Sequence, residues 1–171
     1  MKVFADILDT VRRCSPVVHC ITNYVTVNDC ANIVLAAGGS PIMADDEAEV
    51  EDVVALAQAL VINVGTLNSR TIAAMLKAGR RANRLGRPVV LDPVGAGVST
   101  LRNTALQRLL QEVRFAAIKG NISEIGFLAG EDAKARGVDA QDAFLVTEGS
   151  LKAAASMARG LSDSTGAVVV V

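Results

Sequence analysis

The sequence predicts an α/β fold, with a mostly parallel sheet carrying helices on both faces, and three observations predict it. Apolar runs of strand length alternate with helix-spaced segments of about a dozen residues, the pattern of βαβ units. The runs are continuous rather than alternating, which suits strands buried on both faces. Half of the residues are apolar (51%) but only 3% are aromatic, so Ala, Val, Leu and Ile must fill the interior. Those small side chains favour close helix-on-sheet packing, and 171 residues suffice for one domain, 1–171, with a core of its own.

The elements follow in order. Phe4, Ile7, Leu8 and Val11 recur at i, i+3, i+4 and i+7, which predicts an amphipathic helix over 3–14. Pro16 stops it, and the run from Val17 to Ile21 is a short strand. Thr26 with Asp29 three residues on is a capping pair for a helix over 27–37, which Gly38 and Gly39 end. Residues 40–43 form a second strand, placed at an edge or a strand start by Pro41. Asp45, Asp46 and Glu47 supply negative charge at the start of the next helix, whose apolar face is Val50, Val53, Val54, Leu56 and Ala57. A third strand spans 60–64, and Ile72, Met75, Leu76 and Gly79 mark a helix that Gly86 ends. Strands at 88–91 and 115–118 flank a helix over 100–113. Glu131 to Gly137 reads as a surface loop, 151–161 as a helix and 167–171 as a sixth strand. That last strand is apolar and unguarded, so the domain is expected to be incomplete at Val171.

Several classes of function are disfavoured. The net charge of −1 gives no electrostatic basis for binding nucleic acid or an anionic membrane. No stretch approaches the length of a membrane span, and Asp6 and Asp9 interrupt any secretory signal. Cys14, Cys20 and Cys30 have no metal or redox spacing, so free buried thiols in a cytoplasmic protein are expected. There is no phosphate loop of the Walker type. The dinucleotide fingerprint is incomplete because Thr100 stands where a third glycine is needed, which disfavours a nicotinamide-dependent dehydrogenase.

The chemistry concentrates where two strands end. Asp92 closes one and opens into Pro93-Val94-Gly95-Ala96-Gly97, while the next opens into Lys119-Gly120-Asn121-Ile122-Ser123-Glu124. An open α/β sheet binds its ligands at those carboxyl ends. Two carboxylates there are hard oxygen donors suited to a hydrated Mg²⁺ carrying phosphate, so the residues point to phosphoryl transfer. Gly95 and Gly97 serve either a tight turn or an anion-facing backbone. Asn121 and Glu124 read either as a helix cap or, beside Lys119, as part of a nucleotide site. Met43 is core or the wall of a small pocket. Asn23 and Tyr24 are turn formers or ligand contacts. His19, mid-strand, reads as a structural residue rather than a catalytic one.

Together His19-Cys20-Ile21-Thr22-Asn23, Pro41-Ile42-Met43-Ala44, Asp92-Pro93-Val94-Gly95-Ala96-Gly97 and Lys119-Gly120-Asn121-Ile122-Ser123-Glu124-Ile125 resemble, in order and over almost the whole chain, hydroxyethylthiazole kinase of the ribokinase-like superfamily. The resemblance implies ATP- and Mg²⁺-dependent phosphorylation of 4-methyl-5-(2-hydroxyethyl)thiazole in thiamine salvage, by a homotrimer with substrate sites between subunits. It implies that Met43 contacts substrate and that Asn23 belongs to the substrate loop. It places Lys119 and Asn121 at ATP, and Asp92 and Glu124 at Mg²⁺ and phosphate. The family's anion hole and the residue that activates the substrate hydroxyl fall beyond Val171, so no catalytic residue is expected within this chain. Two rivals accompany this reading: a related kinase of another vitamin precursor such as a hydroxymethylpyrimidine, and a catalytically silent fragment acting as a binding or assembly module.

Overall fold

The computed structural model describes residues 2–130 and 151–171; the loop expected from Glu131 to Gly137 lies outside them. Within them the chain runs α1 (Lys2–Cys14), β1 (Val17–Ile21), α2 (Val27–Ala37), β2 (Ser40–Met43), α3 (Val50–Leu56), β3 (Ala59–Asn63), α4 (Ser69–Arg84), β4 (Val89–Asp92), α5 (Thr100–Glu112), β5 (Ala117–Lys119), α6 (Ile122–Leu128), α7 (Leu151–Thr165) and β6 (Val168–Val170). The six strands form one sheet in the order β2-β1-β3-β4-β5-β6, and every pairing is parallel. Pro41 lies on β2 at the edge, where its missing N–H interrupts no inner ladder.

The strand order reverses direction at β1. Right-handed crossovers then put α2 on one face of the sheet and α3, α4 and α5 on the other. Packing agrees, with α3 against α4, α4 against α5, and α1 against α2. The two faces differ in burial. Leu60, Ile62, Val89, Leu91 and Ile118 are sealed beneath Met75, Leu76, Leu106 and Leu109. On the opposite face Val61, Val90 and Ala117 are only half-buried, and α2 buries no residue fully. Truncating a sealed residue such as Leu106 to alanine removes about 2–5 kcal/mol.

Three local expectations are corrected. Thr26 stands at the N-cap of α2 without a side-chain cap bond; its hydroxyl donates to Asn23 Oδ1 at 3.2 Å instead, so Thr26 and Asp29 form no capping pair. Asp45, Asp46 and Glu47 precede α3 rather than enter its first turn, because Asp45 is drawn to Arg70 at 3.0 Å and the helix begins at Val50. The three cysteines are free, but Cys14 is exposed on the solvent side of the last turn of α1.

Candidate active site at the carboxyl ends of the strands

A wholly parallel sheet delivers all its strand ends to one edge, and register decides which side chains share a face. Met43 pairs with Cys20, and Cys20 with Val61, Val90 and Ala117 in turn. Two residues further on, Asn63 pairs with Asp92, and Lys119 follows in step on β5. Side chains two residues apart on a strand share a face. Met43, Asn63, Asp92 and Lys119 therefore all lie on the lightly covered face at the carboxyl edge. Met43 is three strand spacings from Asp92, about 14 Å across the sheet.

Asp92 is half-buried and its Oδ2 accepts the Asn63 amide N–H at 2.8 Å. Among the described residues Oδ1 has no hydrogen-bond partner. Burial pushes the Asp92 carboxyl above its ordinary value; the Lys119 charge and the Asn63 bond pull it back, and the charge of Glu124 adds to the rise. Such a carboxylate gains from a cation beside it.

Glu124 performs the capping role that its spacing allowed. Its Oε2 accepts the Asn121 N–H at 2.9 Å, while Asn121 Oδ1 accepts the Glu124 N–H at 2.9 Å, closing a capping box on α6. Its Oε1 reaches across to the N–H of Gly95 at 2.9 Å. Gly95 and Gly97 have φ of 72° and 89°, a left-handed conformation that favours glycine, so the loop after β4 can bend back toward α6. Asp92, Glu124, Asn121, Lys119 and the glycine loop are thus one cluster. Lys119 ends β5 with its side chain exposed.

Two residues that sequence reasoning passed over hold this cluster in place. Asn63 bridges β1 and β4: its Oδ1 accepts from Gly65 N at 2.8 Å and from Asn23 Nδ2 at 3.2 Å. Arg102, in the first turn of α5, donates to the carbonyls of Val64, Val94 and Gly65, clamping the loops after β3 and β4 together. A cation opposes the dipole at a helix N-terminus, and that was the available signal for a specific partner. The signal for Asn63 was a lone amide within an apolar run, since a buried amide needs hydrogen-bond partners.

Asn23 is buried and its oxygen serves the turn after β1, accepting from the N–H groups of Val25 and Thr26 at 3.0 Å each. Tyr24 joins a surface clasp: its hydroxyl donates to Asp45 Oδ2 at 3.0 Å, and Arg70 pairs with Asp45 Oδ1 at 3.0 Å. Burial opposes ionisation of Asp45, but the Arg70 and Tyr24 bonds outweigh it and hold its carboxyl below the ordinary value. Met43 is half-buried on β2 and is linked to the acidic cluster by the shared face alone. His19 is fully buried on the opposite face, with Nε2 against the Ala44 carbonyl at 2.7 Å and Nδ1 unpartnered among the described residues. It is therefore structural, though only half satisfied.

Residues 8–171 match the sequence profile of the HK: Hydroxyethylthiazole kinase family. The chain belongs to the hydroxyethylthiazole kinase family. A hydroxyethylthiazole kinase of Desulfovibrio desulfuricans is 81% identical over 171 residues, which is 100% of this chain and 60% of that protein. One from Clostridium acetobutylicum is 52% identical over 164 residues, 96% of this chain and 60% of its own. The solved structure of the hydroxyethylthiazole kinase protein from Pyrococcus horikoshii superposes with a TM-score of 0.86 at 38% identity, over 100% of this chain and 61% of that one. The chain thus spans about three-fifths of the length of these hydroxyethylthiazole kinase relatives. The fold is that of the family, and among the described residues no helix is long and apolar enough to cross a membrane.

Proposed function

We propose that this chain carries the metal and nucleotide side of an ATP-dependent kinase acting on the hydroxyethyl group of 4-methyl-5-(2-hydroxyethyl)thiazole, in thiamine salvage. The observation that carries the reading is the convergence of Asp92 and Glu124 beside Lys119 and the Gly95–Gly97 loop, in a chain of this family.

The donor set fits Mg²⁺. That ion keeps several waters and uses one or two carboxylates together with substrate phosphates, rather than an all-protein cage. Asp92 offers Oδ1, which has no hydrogen bond among the described residues, as a direct ligand. Glu124 has each oxygen engaged by one backbone N–H, so it serves through water or through its remaining lone pairs. Held there by Asp92 and Glu124, a bound Mg²⁺ would supply positive charge against the negative charge that develops in phosphoryl transfer.

The chain's own residues do the rest by positioning and charge. Lys119, at an exposed strand end, meets the nucleotide phosphate as a point charge. Asn121 fixes the start of α6 and the direction of Glu124, beside ATP. Met43 forms the thiazole wall on β2, while Asn23 shapes the pocket loop through its turn. No catalytic residue is assigned within the chain. Three strand spacings, about 14 Å across the sheet, and a two-residue offset along it separate Met43 from Asp92, which favours a substrate site completed by a second subunit. The exposed apolar residues Phe4 and Ile7 of α1 and Ile33 and Leu35 of α2 suit the contact surface of a homotrimer. A cytoplasmic location accords with this chemistry.

The test is ATP consumption by the intact protein with the thiazole alcohol and, separately, a hydroxymethylpyrimidine. Turnover with the thiazole alone supports the reading. Preference for the pyrimidine transfers it to the rival kinase, and no turnover with either, in a protein that binds no ATP, rejects it.

A further inference from the structure

A directed polar thread runs from the crevice to the acid, and the proposed chemistry does not use its middle member, Asn63. It begins where the strand order reverses, between the ends of β1 and β3, the place at which an open α/β sheet forms its crevice. There Val25 N, Thr26 N and the Thr26 hydroxyl all donate to Asn23 Oδ1. With its oxygen committed, Asn23 turns Nδ2 to Asn63 Oδ1 at 3.2 Å, and Asn63 in turn directs Nδ2 to Asp92 Oδ2 at 2.8 Å. Each amide has one workable orientation. Turning Asn63 over would set its oxygen against the carboxylate and its NH₂ against the Gly65 N–H.

The thread is internal, with Asn23 8% and Asn63 6% exposed, so its bonds meet little competition from water. It is also tight. A Cβ on Gly65 would stand 2.8 Å from Asn23 Cβ and 2.9 Å from Asn63 Oδ1, so only glycine lets the two amides close. A buried amide costs free energy unless every polar atom is met, and a strand end wanting only packing would carry Val or Ile. Asn63 spends its acceptor on the crevice side and its donor on the carboxylate.

We propose that Asn63 is a positioning residue for Asp92: it holds Oδ2, leaves Oδ1 facing the crevice, and ties the carboxylate across the switch point to the Asn23 turn. Rearranging that turn then moves the acid. The catalytic consequence rests on the phosphoryl-transfer reading above; the mechanical link does not.

The experiment titrates Mn²⁺ into the intact protein with ATP, followed by electron paramagnetic resonance, for wild type, Asn63→Leu, Asn23→Ala and Asp92→Asn. Residues that orient a metal ligand typically cost about 10–100-fold in affinity or activity when removed, and that is the loss expected for Asn63→Leu. Asn23→Ala, which has no hydrogen bond to Asp92, is expected to weaken binding in the same direction by less. In turnover, Asn63→Leu is expected to lower kcat while KM for the alcohol stays within about twofold, because orientation and not uniform binding is lost. If Asp92→Asn weakens binding but the two amide variants match wild type, the link is overturned and the kinase reading survives. If wild type itself binds no Mn²⁺, the metal reading fails instead. The link is then decided by a double-mutant cycle in urea between Asn23→Ala and Asp92→Asn, where non-additivity of about threefold or more in the unfolding constant upholds it and additivity overturns it. Should Asn63→Leu not fold, the Asn23→Ala titration and this cycle carry the test.

Discussion

Replacing Glu124 with glutamine disturbs the one side chain that both caps α6 and holds the glycine loop. Its two oxygens each accept a backbone N–H at 2.9 Å, one from Asn121 and one from Gly95. Glutamine supplies a single acceptor oxygen and turns an NH₂ toward the second N–H. A hydrogen bond to an ionised acceptor contributes about 1.5–3 kcal/mol, so losing one and facing two donors together costs about 2 kcal/mol. The Asn121 bond is local and reciprocated within the capping box, whereas Gly95 arrives from 29 residues away. The cap therefore keeps the oxygen and the loop is released. Since 1.36 kcal/mol is tenfold, the Gly95 amide should exchange with solvent roughly 30-fold faster, and the urea midpoint should fall with its slope unchanged. Unchanged Gly95 exchange with stability within about 0.5 kcal/mol of wild type would refute the double role. The same variant carries a kinetic consequence. A metal role for Glu124 requires kcat to fall by more than this roughly 30-fold loosening accounts for, with KM for the alcohol little changed.

Further outcomes follow from the same geometry. Asp92→Asn should abolish Mg²⁺-dependent turnover yet stabilise the protein at neutral pH. The raised Asp92 carboxyl favours folding below its ordinary value of 3.8 and loses that advantage as pH rises through the folded value, so the gain in urea should be present at pH 7 and vanish near pH 3. His19 shows the opposite slope. Burial depresses it below 6.5 against the pull of the Ala44 carbonyl and Glu49, so stability should decline as pH falls from 6.5 toward its folded value; His19→Gln should flatten that decline, and an unaltered slope would contradict it. Arg102→Lys should cost about 1–3 kcal/mol by thermal or urea unfolding, since one ammonium cannot meet the carbonyls of Val64, Gly65 and Val94 in the fork that guanidinium offers.

Much of the fold was legible because periodicity reports burial. The run from Val17 to Ile21 and the helices at 27–37 and 100–113 lie within a residue of their expected bounds. Pro41 marked an edge strand or a strand start, and β2 does lie at the edge. Less legible were choices made between competing side chains. Thr26 looked like a cap, but Asn23 lies three residues back and takes its hydroxyl along with two N–H groups. Asp45 looked like a helix-dipole partner, but Arg70, 25 residues later, offers a nearer charge. Of the candidate site, Asp92, Lys119, Asn121 and Glu124 stood out in the sequence because their residue types sit abruptly at strand ends. Asn63 and Arg102 did not, since their meaning lies chiefly in contacts 29 to 40 residues distant in sequence, which no local pattern encodes. The unequal covering of the two sheet faces was likewise hidden, because an apolar run reads alike whether one face is sealed or both are.

The most direct measurement is the anomalous scattering of Mn²⁺ in crystals of the intact protein with a non-hydrolysable ATP analogue. The peak is expected at Asp92 Oδ1, with Glu124 within one water of it and Lys119 against the phosphates. A peak elsewhere, with both carboxylates bound only to the protein contacts described above, would contradict it.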